Sequence, residues 1–441
     1  MAFLPTTIKE VRERGWDELD VILFTGDAYI DHPSFGAAVI GRLLEAEGYR
    51  VAIVPQPNWR DDLRDFKKLG TPRLFFAITG GAMDSMVNHY TANLRLRHDD
   101  AYTPGGKAGF RPDRTVSVYS QILKRLFPHT PVVVGGIEAS LRRLTHYDYW
   151  EDRLHPSILC SSGADLLVYG MGDRTILEVA RAMKNGYNAK LLRKIPQVAF
   201  RAEKSYIEKL DPDRTVRLHS FEVCQKSKEA FGENFCIIET LSNLLHPDKT
   251  LVEAVGDEWV VVTPPHSILS TEELDHSFDL PYERAPHPRY EGRGEIPAWE
   301  MIKHSVNMHR GCFGGCSFCT ISAHQGKFIQ SRSERSILQE VERITKMADF
   351  RGNLSDIGGP SANMYRMGGR DKTLCEKCRR PSCLHPKRCP NLDNDHRPLL
   401  ALYEKIRTMK GIKHAYIGSG IRYDLFDQSP YLQTVLKYHT S

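Results

Sequence analysis

The chain has 441 residues, of which 41% are apolar and 26% are charged, which excludes a disordered, collagen-like or low-complexity protein. This length suggests two or three domains, each large enough to bury a hydrophobic core. The 60 basic and 55 acidic side chains leave a net charge of +5, which is compatible with an anionic substrate or nucleic acid but argues for neither.

Residues 1–195 alternate short apolar runs with helical segments. Helical spacing of apolar residues predicts helices over Phe35–Glu47 and Val118–Phe127. Continuous apolar strands separated by helices are typical of a doubly wound parallel sheet, in which ligands bind beyond the carboxyl ends of the strands. The sequence therefore predicts an N-terminal α/β domain over residues 1–195, with strands at Val21–Thr25, Val51–Val54, Leu74–Thr79, Val132–Val134 and Leu166–Tyr169.

Residues 196–297 lack this regular alternation. Only Val260–Thr263 has the pattern of a strand, and the stretch from Pro264 to Pro297 is rich in proline and charge. Such a composition is typical of loops and linkers, so we interpret residues 196–297 as an irregular region that ends in a proline-rich linker.

A second βα pattern covers residues 298–441, which we interpret as another domain. An insertion of residues 371–392 separates its second and third units and contains four cysteines. The predicted strands are His304–Met308, Leu354–Ile357 and His414–Ile417, and the predicted helices are Glu334–Met347, Leu399–Met409 and Tyr431–His439.

No segment reaches the 18 to 20 or so apolar residues that a membrane helix needs, and the start MAFLPTTIKE lacks the features of a secretory signal. We therefore expect a soluble, cytoplasmic protein with no membrane partner. In a reducing compartment the ten cysteines are not expected to form disulfides, and clustered ones are expected to bind metal.

Cys312, Cys316 and Cys319 form the pattern C-x3-C-x2-C just after a predicted strand. Three thiolates at this spacing can hold three irons of a [4Fe–4S] cluster and leave the fourth iron open for a ligand. The alternative is a zinc site with His309 or His324 as fourth ligand, although the spacing differs from the paired C-x2-C of most zinc sites.

This motif, with Phe318 before its last cysteine, resembles the cluster motif of the radical S-adenosylmethionine (SAM) superfamily, and GCFGGCSFCTISAHQG is similar to its methylthiotransferase-like branch. The stretches DAYIDHPSFGAAVIGRLLE, GAMDSMVNHYTA, GGIEASLRRLTHYDYW, LLVYGMG and SDIGGPSANMY resemble the YgiQ-type radical SAM proteins, a family whose substrate is not settled. The resemblance covers essentially the whole chain. It implies a cobalamin-binding-like N-terminal sheet followed by a radical SAM (β/α) barrel.

The resemblance also implies a chemistry. SAM binds the open iron of the cluster, and one electron, from a donor such as flavodoxin or ferredoxin, cleaves it to a 5′-deoxyadenosyl radical that acts on an unknown substrate. Phe318 is expected to contact the adenine, and Gly358, Gly359 and Pro360 resemble the element that meets the methionine amino group. Further cofactor-binding candidates are Ser419 and Arg422.

Cys375, Cys378, Cys383 and Cys389 form a second group, C-x2-C-x4-C-x5-C, inside the insertion. Four thiolates can hold either structural zinc or an auxiliary iron–sulfur cluster, and both remain open. His385 is an alternative ligand. Nearby basic side chains could offset the charge of the site or contact RNA; they are Lys377, Arg379, Arg380, Lys387 and Arg388.

The cobalamin motif D-x-H-x-x-G is not matched, because here Asp31 directly precedes His32 and the glycine comes one place late. We therefore do not expect cobalamin, and His32 is interpreted as a turn residue or a polar substrate contact. The sheet is instead expected to bind substrate or nucleotide, or to cover the barrel. The polar residues expected near its cleft are Asp84, Asn88, His89 and the stretch Glu138–Arg143.

Radical SAM barrels usually have about six βα units, and this chain supplies three, so by this pattern it is expected to be truncated relative to its family. Two alternatives to an active enzyme therefore stay open. One is a metal-stabilised binding protein without catalytic activity, for example one that binds RNA. The other is a truncated radical SAM chain that binds a cluster but does not turn over.

Overall fold

A computed structural model describes residues 3–186, 192–426 and 430–440. The chain forms two compact units, and each is described by itself. The first consists of Met1–Ile238, Asp248–His266 and Leu280–Trp299, and the second of Glu239–Pro247, Ser267–Asp279 and Glu300–Ser441.

The first unit is built on a nine-stranded sheet whose strands we number β1 to β9 in chain order. Their spatial order is β7-β8-β9-β6-β5-β4-β3-β1-β2. The strands are β1 Val21–Thr25, β2 Val51–Pro55, β3 Phe75–Thr79, β4 Val132–Gly135, β5 Leu166–Val168, β6 Val198–Ala202, β7 Thr215–Arg217, β8 Thr250–Val255 and β9 Glu258–Val262.

Strands β1 to β5 are parallel and lie in the order 2-1-3-4-5, which confirms the predicted doubly wound sheet. β1 and β2 are buried along their whole length because helices cover both faces, which is why their sequences are continuously apolar. The strand order reverses between β1 and β3, so a ligand of this sheet would bind beyond their carboxyl ends. The helices of this part are Ile8–Glu13, Gly36–Ala46, Arg64–Lys67, Ser85–His89, Thr115–Leu126, Gly136–Leu141, Ile158–Ser162 and Asp173–Lys184.

Four further strands extend this sheet, where the sequence analysis proposed irregular structure from residue 196. β6 pairs antiparallel with β5, β9 with β6, and β8 with β9, whereas β7 runs parallel to β8. Val252, Val260, Val261 and Val262 are buried there, but charged residues such as Glu253 interrupt the apolar pattern. The interpretation of this region as irregular is therefore wrong for β6 to β8, whereas the strand predicted at Val260–Thr263 corresponds to β9. Its helices are Lys204–Ile207, Phe221–Lys226 and Lys228–Ser242.

The predicted proline-rich linker also contains regular elements. Ala285–Pro286 pairs antiparallel with Ile30–Asp31. Along the chain, the helix Thr271–Asp279 precedes this short strand and the helix Pro297–Ile302 follows it. A separate hairpin joins His146–Asp148 to Arg153–His155.

The second unit contains three parallel strand segments in chain order, as expected for the first part of a radical SAM barrel. β10 pairs with β14, and β13 pairs with β17. Two antiparallel pairs, β11 with β12 and β15 with β16, lie in the loops. The strands are β10 Ser305–Asn307, β11 His309–Arg310, β12 Gln330–Ser331, β13 Asn353–Leu354, β14 Asp356–Gly358, β15 Gly368–Gly369, β16 Leu392–Asp393 and β17 His414–Ala415.

The helices of this unit pack on one hydrophobic core. Glu334–Thr345 buries Ile337, Val341 and Ile344 against the strands, and Arg397–Arg407 buries Leu399 and Leu402 in the same core. The remaining helices are Ile321–Gln325, Lys372–Glu376 and Pro430–Tyr438. Among the described residues, no helix combines the length and apolar character needed to span a bilayer.

Candidate functional site

The loop after β10 carries Cys312, Cys316 and Cys319. The antiparallel strands β11 and β12 pair with each other and close the base of this loop. Gly311 has φ +87°, and its α-carbon lies so close to the carbonyl of Phe328 that a side chain would not fit. The backbone therefore fixes the point at which the cysteine loop begins.

The three thiols of this loop are half-buried neighbours. The N–H of Cys319 donates to the carbonyl of Cys316 at 3.0 Å, and the N–H of Cys312 donates to the carbonyl of Gly326 at 3.1 Å. Burial raises the pKa of the Cys312 thiol, and Cys319 and Cys316 are close enough to raise it further. A bound metal would displace the thiol protons, because the thiolate is the ligand.

Arg422 reaches the same loop from the region after β17. Its Nη1 donates to Sγ of Cys316 at 2.9 Å, and its guanidinium also pairs with Asp424. The side chain of Asn363 holds the Arg422 backbone, accepting from its N–H at 2.8 Å and donating to its carbonyl at 3.0 Å. At Gly314 a β-carbon would lie 2.8 Å from this Nη1, so the glycine leaves the space that the arginine needs.

Asp356, where β14 begins, joins this strand to the segment after β17. Its carboxylate accepts from the N–H groups of Gly418 at 2.9 Å and Ser419 at 3.1 Å, and from the Ser419 hydroxyl. Gly358 packs directly on Ser419, with no room for a β-carbon. The hydroxyl of Ser419, a predicted cofactor contact, is thus already bonded within the protein.

Gly359 lies against the imidazole of His309, at the point where Pro360 leaves the strand end. A β-carbon at Gly359 would be 2.5 Å from Cε1 and 2.7 Å from Nδ1 of His309. His309 is fully buried, neither ring nitrogen has a hydrogen-bond partner among the described residues, and burial lowers its pKa to about 3. The sequence indicated His309 only as an alternative zinc ligand, and the structure places it beside the predicted SAM element.

Phe318 lies between two cysteines of the loop and is 88% exposed. A phenyl ring this exposed buries little apolar surface in the protein itself and is free to stack on a flat ligand. Its predicted contact with adenine stays a prediction.

The four thiols of the second cysteine group are half-buried; they belong to Cys375, Cys378, Cys383 and Cys389. The N–H of Cys378 donates to the carbonyl of Cys375 at 3.1 Å, and that of Cys389 to the carbonyl of Cys383 at 2.7 Å. Burial raises the pKa of Cys383 to about 11, and the other three cysteines are close enough to act on it electrostatically. The structure therefore brings all four thiols of the motif together.

A buried cation lies next to this second group. Lys327 is 2% exposed, its Nζ donates to the carbonyl of Arg380 at 2.7 Å, and its charge acts on Cys375 and Cys383. Arg380 itself donates to the carbonyls of His385 and Lys387, at 2.9 and 2.7 Å. Sequence reasoning missed Lys327, because it lies about 50 residues before the cysteines that it faces.

In the first unit, a buried ion-pair network lies next to the point between β1 and β3 where the strand order reverses. Arg111 pairs with Asp27, which follows β1, at 2.7 Å and with Asp100 at 3.0 Å. Burial raises the pKa of Asp27. The sequence did not indicate this network, since Asp100 and Arg111 lie in a long loop without a motif.

The polar residues predicted near the cleft of the sheet are partly brought together. Asp84 pairs with Arg142, and Glu138 accepts from the N–H groups of Ser85 at 3.1 Å and Val116 at 2.9 Å. These bonds link the loops after β3 and β4, so the groups hold the fold at this edge.

Two further predicted polar residues of this unit, His89 and His32, are buried and bonded within it. His89 Nδ1 lies 2.6 Å from a carboxylate oxygen of Asp113, whereas His32 is buried beside Trp299, with its Nδ1 accepting from the N–H of Ser34 at 3.1 Å. The geometry of His32 fits its interpretation as a turn residue.

Residues 3–305 match the family described as Radical SAM N-terminal, a match that ends before the cysteine loop. A UPF0313 protein of Bacteroides thetaiotaomicron is 59% identical over 434 residues, covering 96% of this chain and 69% of that protein. A UPF0313 protein of Porphyromonas gingivalis is 60% identical over 436 residues, covering 99% of this chain and 68% of that protein.

Among solved structures, the chain is similar to the radical SAM methyltransferase TsrM from Kitasatospora setae, determined with cobalamin and a [4Fe–4S] cluster bound. The identity is 14% and the TM-score 0.40, and the match covers 74% of this chain and 46% of that one.

Proposed function

Because the chain belongs to the Radical SAM N-terminal family and to the UPF0313 proteins, we propose that it is a radical SAM enzyme with a [4Fe–4S] cluster on Cys312, Cys316 and Cys319. The observation that carries this proposal is the loop geometry. Three half-buried thiols lie on one loop at the end of the first barrel strand, and the protein supplies no fourth cysteine within that loop. Such a set leaves one iron open.

The surroundings of the three thiols fit a cluster with negative charge. Arg422 donates to the sulfur of Cys316 and places a positive charge beside the site. Gly314 has no side chain that would fill the space between this guanidinium and Cys312. Hydrogen bonds to the sulfurs and nearby charge are the means by which a protein tunes such a centre.

When bound, the cluster and SAM supply a one-electron cleavage of the sulfonium. The residues of this chain would bind and orient the cofactor. Phe318 offers an exposed ring for the adenine, and Gly358 and Gly359 would offer backbone groups at a strand end that packs on Ser419 and His309. Ser419 would act by holding the end of β14 through Asp356.

The second cysteine group is proposed as a further metal site, with zinc and an iron–sulfur cluster as the two candidates. The electron donor is proposed to be a low-potential flavin or iron–sulfur protein of the flavodoxin or ferredoxin type. RNA contact by the basic residues near this group has less support, since Arg380 uses its guanidinium on two loop carbonyls.

The proposed function is tested by anaerobic reconstitution of the chain with iron and sulfide, followed by electron paramagnetic resonance of the reduced protein with and without SAM. We expect a cluster signal that changes when SAM is added, and we expect Cys316→Ala to remove that change. Cys236→Ala is the matched control, because Cys236 is an exposed cysteine outside both groups. Stoichiometric zinc without iron at the first group would contradict the proposal and favour a non-catalytic metal protein.

A further inference from the structure

The segment that carries the second cysteine group packs directly on the loop of the first. The N–H of Cys383 donates to the carbonyl of Phe313 at 3.0 Å, and Phe313 is the residue that follows Cys312. The hydroxyl of Ser382 donates to the carbonyl of Gly314 at 2.7 Å. Two successive carbonyls of the first cysteine loop are therefore held by two successive residues of the second segment.

This contact is close and partly apolar. Gly315 has φ +60°, and a β-carbon there would lie 2.9 Å from the carbonyl oxygen of Pro381. Phe313 lies in one hydrophobic cluster with Leu384 and Leu392. Three cysteines from the two groups also pack against this cluster: Cys312, Cys383 and Cys389.

The second segment has few means of its own to hold this shape. Its regular structure is limited to the five-residue helix Lys372–Glu376 and the two-residue pair of β15 with β16. The hydroxyl of Ser382 accepts from the N–H groups of Leu384 and His385, both at 3.0 Å, which shapes only one turn. A short segment of this kind is commonly stabilised by a metal on its cysteines.

The charges near the four thiols favour an anionic metal centre. The ammonium of Lys327 is buried and donates to a neutral group, the carbonyl of Arg380. A buried cation is costly unless an anion compensates it, and four thiolates around a metal supply that anion. Lys327 also follows Gly326, whose carbonyl accepts from Cys312, so the cation connects the two groups.

Zinc and an iron–sulfur cluster require different distances between the four sulfurs. Four thiolates around zinc at about 2.3 Å would lie about 3.8 Å from one another. Within the described residues, one group of three possible ligand atoms lies within 4.8 Å of one another, and it belongs to Asp148, Glu151 and His155. No three cysteine sulfurs of the described residues lie this close together. Among any three of these sulfurs at least one pair is therefore further apart than in a zinc tetrahedron, a spacing that suits thiolates bound to separate irons.

We propose that Cys375, Cys378, Cys383 and Cys389 hold a second iron–sulfur cluster, and that this centre keeps the Phe313–Gly315 loop in the conformation that binds the first cluster. The second part of this inference rests on the proposed function, since it assumes a cluster at the first group.

The second cluster is tested by metal analysis of Cys316→Ala, which disables the first site. After anaerobic reconstitution we expect about eight irons per wild-type chain and about four in Cys316→Ala, with matching sulfide. Cys236→Ala is expected to keep the wild-type value. One zinc per chain in Cys316→Ala, or the loss of all iron and sulfide, would overturn the second cluster.

The coupling is tested by the rate at which a chelator removes iron from the first site, followed through the SAM-dependent resonance signal. Removing residues that support metal ligands typically costs 10-fold to 100-fold in metal affinity, so we expect about 10-fold faster loss in Cys378→Ala. Ser382→Ala keeps all seven cysteines and removes one contact with the loop, so we expect a smaller increase in the same direction. Wild-type rates in both variants would overturn the coupling.

These results separate the two proposals. A wild-type chain with a SAM-responsive cluster whose Cys316→Ala variant holds no iron contradicts only the second cluster. A chain that keeps iron and sulfide in Cys316→Ala but never responds to SAM supports the second cluster and contradicts the proposed function.

Discussion

Replacing Gly359 by alanine perturbs the contact between the end of β14 and His309. The new β-carbon would lie 2.5 Å from Cε1 of the imidazole, whereas an ordinary contact of this kind is at least 3.4 Å. One of the two groups must therefore move by roughly 0.9 Å, and fully buried His309 has no open side to move into. Overpacking of this degree costs about 1 to 3 kcal/mol, and we expect Gly359→Ala to lower the free energy of unfolding by that amount.

The same geometry predicts a compensating change. His309→Ala removes the imidazole that the new methyl group would meet, so the double variant Gly359→Ala/His309→Ala should be more stable than the sum of the single effects predicts. The coupling energy in this cycle should be about 1 kcal/mol or more, because contacting residues show interaction energies of 0.5 to 3 kcal/mol.

Urea unfolding of the four proteins measures this cycle. Gly420→Ala is the matched control, because no atom lies within 4 Å of the position of its β-carbon, and we expect it to stay within about 0.5 kcal/mol of the wild type. A wild-type midpoint for Gly359→Ala, or strictly additive effects in the double variant, would refute the packing argument.

Three further predictions concern ionisable side chains. Burial raises the pKa of Glu253 to about 7 from the ordinary value of 4.5. Between these two pH values the folded protein keeps the carboxyl protonated while the unfolded chain loses the proton. The stability of the fold therefore falls as pH rises from 4.5 to 7. The free energy of unfolding of Glu253→Gln, measured with urea, should therefore exceed that of the wild type by up to about 3 kcal/mol at pH 8 and by almost nothing at pH 4. Arg422→Gln removes a donor to Cys316 and should lower the reduction potential of the cluster by about 60 mV in a redox titration. Arg111→Met leaves the Asp27 carboxylate buried without its cation and should cost about 3 to 5 kcal/mol in urea unfolding.

Each of these has its own contradicting result. For Glu253 it is a stability difference that does not change between pH 4 and pH 8, with the exposed Glu258→Gln as the control on the neighbouring strand. For Arg422 it is an unchanged potential in a variant that still binds iron. For Arg111 it is a variant as stable as the wild type.

Much of the fold could be predicted from the local sequence. β1 and β2 are buried along their whole length, so almost all of their residues are apolar, and this pattern needs no knowledge of the partner strands. β6 to β8 were missed because Arg201 and Glu253 break the apolar runs, and because antiparallel strands at one side of a sheet have weaker patterns.

The candidate metal ligands could be predicted for a similar reason. Each cysteine group lies within 15 residues of sequence, so its spacing alone indicates a metal site. The residues around the groups could not be predicted in this way. The sequence indicated His309 and Arg422 as candidates, but only the packing of the chain shows that they contact Gly359 and Cys316. Lys327 was not indicated, and it is again the packing that places it beside the second group.

The cysteine ligands of both proposed metal sites could be predicted from the sequence, because the thiols of each group are close along the chain. Only the tertiary structure shows that Ser382 and Cys383 donate hydrogen bonds to the carbonyls of Gly314 and Phe313, about 70 residues earlier in the chain. The physical reason is that hydrogen bonds and burial depend on distance in space, and no local pattern records which distant carbonyl a given N–H will reach.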